Sequence, residues 1–195
     1  MPEAVTGLVL AGGRARRMGG CDKGLLAFRG KPMVAHAIER LRPQVDALLL
    51  NANQNRQAYA QFDCPVLADC VTPTLEAYAG PLAGLQAGLR ACATPLLLTV
   101  PCDSPLLPPD LVERLRTGIA AGAELAVART PTGLQSVFAL YRRDLLAKLE
   151  THLAGGGRKI EAWHATLHAQ AVDFADDGVF LNINTLAELE RLQQP

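Results

Sequence analysis

No stretch of this 195-residue chain approaches the roughly 18 consecutive apolar residues that span a bilayer, so no transmembrane segment is expected. Net charge is missing as well, because 19 Lys and Arg balance 19 Asp and Glu. A basic excess over a whole face is the usual footprint of nucleic-acid or anionic-membrane binding, so the balance argues against both, and any polyanion the protein holds is expected to be small. The five cysteines (Cys21, Cys64, Cys70, Cys92 and Cys102) are odd in number and form no CxxC pair. That disfavours a disulfide framework and a zinc ribbon and predicts reduced, mostly buried thiols. The first residues, MPEAVTG, lack the basic and then apolar run of a signal peptide, and the expectation is a cytoplasmic protein.

Two common phosphate-loop signatures are also absent. A Walker loop needs GxxxxGK followed by Ser or Thr, and a dinucleotide fingerprint needs GxGxxG. Here five residues separate Gly13 from Gly19, and Lys23 is followed by Gly24. There are no repeats, low-complexity tracts or linkers, and the length suits one domain of about 100 to 200 residues, so a single domain over 1–195 is expected.

What is present is LVLAGGRARRMGGCDKG at 8–24, an apolar strand-like start emptying into glycine pairs and cations. Arg14, Arg16, Arg17, Lys23, Arg29 and Lys31 face a single acid, Asp22, in this part of the chain. Consecutive bare amides make an anion-binding nest whatever the exact motif, and the cations add charge of the right sign. The plainer reading is a glycine-rich turn with solvated arginines.

Apolar runs at 5–10, 47–50, 66–68, 96–100, 125–128, 136–141, 171–174 and 179–183 read as strands. Between them, 33–42, 82–92 and 109–117 carry helical spacing. Pro32, Pro81 and Pro109 suit first helical turns, and Thr185 with Glu188 forms a capping box for a helix over 186–193. This alternation implies an α/β fold, a three-layer sandwich around a mainly parallel, Rossmann-like twisted sheet. Ligands of such sheets bind beyond the carboxyl ends of the strands. The residues just past those ends are Gly12 and Gly13, Asn51, Asp69 and the run Pro101 to Pro105, and they are expected to converge. Asp103 projects from the proline-flanked turn PCDSP as a carboxylate suited to Mg²⁺, which takes one or two carboxylates plus phosphate oxygens and waters.

LAGG at 10–13, RMGG at 17–20 running into DKGL at 22–25, NAN at 51–53, GPLAG at 80–84, PCDSP at 101–105 and NINT at 182–185 together resemble the molybdenum cofactor guanylyltransferase family. The resemblance runs in order over nearly the whole chain. It implies a fold of nucleotide-diphospho-sugar transferase type and transfer of GMP from GTP to the terminal phosphate of molybdopterin, with Mg²⁺ as cofactor and pyrophosphate released. It also implies nucleotide contacts from Leu10, Ala11, Gly12, Lys23, Asn51, Asp69 and Asp103, with Asp103 holding the metal. Gly13, Gly80, Asn182 and Asn184 complete the candidate binding set, and Arg17 joins Lys23 and Asp103 as the catalytic candidates. Implied protein partners are a molybdenum insertion factor and acceptor molybdoenzymes or their chaperones. For Asp69 there is an independent reason: guanine offers ring and exocyclic N–H donors that one carboxylate accepts together.

Other features stay open. GGGRK at 155–159 is either a phosphate-holding loop or a connection between helices, and Asn182 and Asn184 either touch acceptor or metal or start the last helix. His164 and His168 stand four apart, but HATLH lacks the glutamate of a zincin and Trp163 points to packing. Alternatives to the guanylyl reading are a cytidylyltransferase using CTP, which Gly12 disfavours by leaving room for a purine, and a nucleotide-binding regulatory subunit without turnover. Retention of both Lys23 and Asp103 speaks against the latter.

Overall fold

The computed structural model describes residues 2–11, 22–70 and 80–193. In chain order, strand β1 (Val5–Leu10) is followed by a small ribbon of β2 (Ala27–Phe28) and β3 (Lys31–Pro32), helix α1 (Met33–Leu41), β4 (Ala47–Asn51), the single turn α2 (Arg56–Tyr59), β5 (Val66–Leu67) and α3 (Pro81–Ala91). Then come β6 (Leu96–Pro101), α4 (Leu111–Ala120), β7 (Leu125–Thr130), β8 (Gly133–Arg142), α5 (Leu146–Ala154), α6 (Ile160–His164), β9 (Ala169–Asp173) and α7 (Leu186–Gln193). No helix among the described residues is long and apolar enough to cross a membrane.

The main sheet has the order β5-β4-β1-β6-β8-β7-β9. Parallel pairing joins β5 to β4, β4 to β1, β1 to β6 and β7 to β9, and only β8 runs against its neighbours β6 and β7. The reversal has a local cause: Pro131 and Thr132 alone link β7 to β8, far too few residues for the crossover that a parallel return requires.

Both faces of the sheet are covered, which is why its central strands read as continuous apolar runs rather than alternating ones. Val5 and Val9 of β1, Leu50 of β4 and Leu96, Leu98 and Val100 of β6 meet α1 and α4 on one side. Leu8, Leu49 and Leu97 point the other way, against α3, α5 and α6. In α1 the buried residues Val34, Ala37, Ile38 and Leu41 fall on one helical face. Helix α3 lies unusually close to β1, because Gly84 and Gly88 share its inner face. A Cβ on Gly88 would come within 2.4 Å of Leu8 Cδ2. Each glycine costs about 1 kcal/mol of helix propensity relative to alanine, offset here by the close approach.

The amphipathic stretch expected at 109–117 forms a helix that starts later, at Leu111. A residue preceding proline is pushed out of the α region, so Pro108 stays outside the helix, and Asp110 precedes α4 as its cap residue. Gln44 takes over the capping instead, accepting from Val112 N–H at 3.1 Å and donating to the Pro108 carbonyl at 2.9 Å. Pro32 likewise precedes α1, whereas Pro81 occupies the first turn of α3 as expected.

The run 179–183 is not a strand, contrary to the expectation from its apolar pattern. Gly178–Phe180 form a tight 3-10 turn, after which the chain makes one backbone bond, Ile183 N–H to the Asp103 carbonyl at 2.9 Å. Phe180 is buried for a different reason, as it packs edge-on against Phe138 and Phe174. The capping box is as expected: Glu188 N–H donates to Thr185 Oγ1 at 3.1 Å and the Glu188 carboxylate accepts Thr185 N–H at 3.0 Å. Ile183 and Leu189 dock this C-terminal segment on Phe28 and Met33, which brings Asn182 and Asn184 to the carboxyl edge of the sheet.

Candidate functional site

Register places the strand ends side by side. Leu10 is opposite both Asn51 and Pro101, and Asn51 is opposite Leu67. Backbone bonds carry the alignment one residue further: Ala11 N–H to the Asn51 carbonyl at 2.8 Å, Ala52 N–H to that of Leu67 at 2.8 Å and Cys102 N–H to that of Leu10 at 3.1 Å. Leu10, Ala11, Asn51, Asp69 and Asp103 therefore line one edge, as the strand-end rule predicts. Gly12, Gly13, Arg17 and the rest of the glycine-arginine loop at 12–21, and the stretch 71–79 after Cys70, lie outside the described residues.

On one side of this edge Lys23 Nζ donates to Asp103 Oδ2 at 3.0 Å and to Asn184 Oδ1 at 2.7 Å. Both ion-pair partners are largely shielded, with side-chain exposures of 23% and 15%. Lys23 opens a short 3-10 turn that is clamped from below, where Asp22 accepts from Tyr59 OH at 2.5 Å and from Asn55 Nδ2 at 3.1 Å. Glycine is required next in the chain, since a Cβ on Gly24 would sit 2.5 Å from Tyr59 OH and 3.3 Å from Cys102 Sγ. Burial, reinforced by the Cys102 and Asp22 sites beside it, pushes the Tyr59 phenol far up, so it stays a donor. Burial first, and then the neighbouring carboxylates Asp103 and Asp22, push the Cys102 thiol well up too, which makes it a packing residue rather than a nucleophile.

Asn182 is tied to the same turn by the Ser104 hydroxyl, which donates to its Oδ1. Asn184 is held by its backbone N–H on Glu188 Oε2 at 2.7 Å and by its own amide, which donates to the Asn182 carbonyl at 3.3 Å. The pair precedes the last helix, and Asn184 also reaches Lys23.

The other side of the edge is an amide and carboxylate cluster. Asn51, 1% exposed, donates to Asp69 Oδ1 at 3.0 Å, and Asn53 donates to Asp69 Oδ2 at 2.7 Å. Asp69 N–H in turn donates to Asn53 Oδ1 at 2.8 Å. Gly84 leaves the room that Asn51 occupies, since a Cβ there would stand 2.4 Å from Asn51 Oδ1 and 2.7 Å from Leu10 Cδ2. Gly80 precedes α3 at φ +90°, a conformation side chains resist, and its Cβ direction faces the Arg158 carbonyl 3.8 Å away. GGGRK thus both connects α5 to α6 and borders the site, with Arg158 Nη1 donating to the Leu153 and Gly157 carbonyls at 2.9 and 2.6 Å.

His164 and His36 are held by local contacts, and His168 is exposed. His164 is buried, with Nε2 2.9 Å from Tyr141 OH and its ring against Trp163, while His168 lies beyond the end of α6. His36 Nε2 meets the Phe28 carbonyl at 2.7 Å. Among the described residues no three His, Cys, Asp or Glu side chains gather as a metal site. Sequence reasoning assigned no part to Asn53, Ser104, Tyr59 or Gly84, although NAN, PCDSP and GPLAG contain three of them and only Tyr59 carried no local signal.

Residues 7–170 match the sequence model of the MobA-like NTP transferase domain. The chain is 50% identical to a molybdenum cofactor guanylyltransferase of Ralstonia nicotianae over 97% of its own length and 96% of that protein. It is 53% identical to one of Cupriavidus taiwanensis, over 96% and 95% of the two chains. Among solved structures, molybdopterin-guanine dinucleotide biosynthesis protein A from Archaeoglobus fulgidus shares the fold at a TM-score of 0.78 and 23% identity, covering 96% of each chain. A CMP:2-keto-3-deoxy-manno-octonic acid synthetase complexed with CTP shares it at a TM-score of 0.75 and 17% identity, over 98% of this chain and 97% of that one. With the family model spanning most of the chain and half of its residues identical to those of full-length relatives, the protein belongs to the MobA-like NTP transferase family.

Proposed function

We propose that the protein transfers GMP from GTP to the terminal phosphate of molybdopterin, as a single cytoplasmic nucleotidyltransferase domain. The observation that carries this reading is the pairing of Lys23 with Asp103 and Asn184 at one end of the strand edge, with the Asn51 and Asp69 cluster at the other. The first set suits a polyphosphate and the second a base with adjacent donors. Identity of about half the residues to proteins named molybdenum cofactor guanylyltransferase supports the choice of GTP and molybdopterin.

Asp103 offers a hard carboxylate, and Asn182 and Asn184 place amide oxygens near it; this donor chemistry fits Mg²⁺, which needs few protein ligands and keeps waters and phosphate oxygens. Bound by Asp103, Mg²⁺ would supply neutralisation of the triphosphate charge. Lys23 brings a positive charge to the same oxygens and stabilises the departing pyrophosphate. No side chain need act as base, because a phosphate monoester with a second pKa of about 6 is mostly dianionic at neutral pH. Asp69 accepts the guanine ring and exocyclic N–H groups, and Gly12, Gly13 and Arg17 of the cationic loop take the phosphates. The GGGRK loop beside Gly80 borders the side on which the acceptor enters. The dinucleotide cofactor then passes to an insertion factor, an acceptor molybdoenzyme or its chaperone.

The test is to incubate the purified protein with Mg²⁺ and molybdenum-loaded molybdopterin, offer GTP, CTP and ATP separately, and weigh the modified pterin. A GMP adduct from GTP alone is expected; a CMP adduct, or none, overturns the proposal.

A further inference from the structure

Asp69 follows a strand of only two residues, Val66–Leu67, so the β-ladder ends before it and does not hold its backbone. One side chain grips it twice. The Asn53 amide accepts the Asp69 backbone N–H at 2.8 Å through Oδ1 and donates to the Asp69 carboxylate at 2.7 Å through Nδ2. A single planar amide therefore reads both the main chain and the side chain of the same residue. The amide orientation is settled by chemistry: turned over, it would set N–H against N–H and oxygen against carboxylate.

Asn51 alone cannot do this. It reaches only Oδ1, at 3.0 Å, and its own position is set by Leu10, Leu67 and Gly84. A carboxylate anchored at one oxygen still pivots about the soft sp³–sp² torsion at its end. With an amide on each oxygen, the carboxylate plane is fixed relative to the strand edge before any ligand arrives.

We propose that Asn53 is a specificity-determining positioning residue that holds the Asp69 carboxylate in the plane needed to accept two adjacent N–H groups of a purine. The inference rests on the reading of Asp69 as the base acceptor. Recognition of two parallel donors depends on the acceptor plane far more than recognition of one does, because both bonds must be straight together. A positioned carboxylate also avoids an ordering cost at the moment of binding. Asn53 thus acts on the difference between guanine, with ring and exocyclic donors, and hypoxanthine, which lacks the exocyclic amine.

The experiment measures Kd for GTP and ITP by calorimetry, with Mg²⁺ and without any pterin, for the unmodified protein, Asn53→Leu, Asn53→Ser and Asp69→Asn. The unmodified protein should prefer GTP over ITP. Asn53→Leu should weaken GTP about tenfold, the scale of one hydrogen bond to a charged group, and change ITP by less than about threefold. Asn53→Ser keeps a hydroxyl that reaches one partner at a time and should fall between, which preserves the test if the leucine variant does not fold. A GTP-to-ITP ratio unchanged in the Asn53 variants but abolished in Asp69→Asn overturns the role of Asn53 alone. A ratio unchanged in Asp69→Asn, or absent from the unmodified protein, overturns the base reading of Asp69 and the inference with it.

Discussion

Lys23 Nζ stands 3.0 Å from Asp103 Oδ2, although 80 positions separate the two residues in the chain. The lysine thus occupies an oxygen of the carboxylate best suited to a divalent cation. Asn184, 161 positions from Lys23, holds the same ammonium at 2.7 Å and gives it a second place to rest. The two charges neutralise each other, and a cation bound at Asp103, as proposed above, would have to share or displace the lysine.

Lys23→Met should therefore improve metal binding while damaging catalysis. With no nucleotide present, Mn²⁺ affinity, read by electron paramagnetic resonance, should tighten about fivefold, the effect of removing about 1 kcal/mol of partly screened ion pairing. Turnover with GTP should fall at least about a hundredfold, the usual loss when a charge-stabilising donor is removed. Weaker Mn²⁺ binding in the variant would contradict the competition.

Gly84→Ala and Gly88→Ala should separate packing from recognition. Both added methyls collide with buried groups, but at Gly84 the first obstacle is Asn51 Oδ1 and at Gly88 it is the tip of Leu8. Overpacking of this kind costs about 1 to 3 kcal/mol, visible as a lower urea midpoint in each variant. GTP affinity should drop about tenfold in Gly84→Ala, through the displaced Asn51 and Asp69. It should stay near normal in Gly88→Ala. Equal GTP affinities in the two folded variants would break the link from α3 to the base cluster.

Stability should fall in mild acid because of His164, which burial keeps neutral with a pKa pushed down to about 4 from an ordinary 6.5. The unfolded chain takes up the proton first as pH drops below 6.5, so the folded state loses stability through the window from about 6.5 to about 4. The slope is about 1.4 kcal/mol per pH unit and the total about 3 kcal/mol. Urea unfolding at pH 7 and pH 5 should show the loss, and His164→Gln should flatten the profile while keeping a partner for Tyr141. A slope unchanged by that substitution would place the acid sensitivity elsewhere.

Local interactions made much of this protein legible in one dimension. Strands covered on both faces leave unbroken apolar runs, so β1, β4 and β6 can be read directly, and the carboxyl ends of those strands point to Leu10, Asn51 and Asp103. Thr185 and Glu188 announce α7 because the capping box closes within one helical turn. The reversal of β8 was written in the Pro131 and Thr132 link, yet it takes effect only when a partner strand is available.

What tertiary structure alone decided lies where groups distant in the chain meet. The run 179–183 has a strand's composition, but it starts in the 3-10 turn Gly178–Phe180 and is tied to the Asp103 turn by the Ile183 N–H rather than pairing along a strand. Asn184 comes within reach of Lys23 because Ile183 and Leu189 dock the end of the chain on Phe28 and Met33. The identity of the candidate site residues is thus carried by short-range pattern, whereas their pairing depends on packing between segments that pattern cannot relate, including the single amide of Asn53 that holds both the backbone and the carboxylate of Asp69.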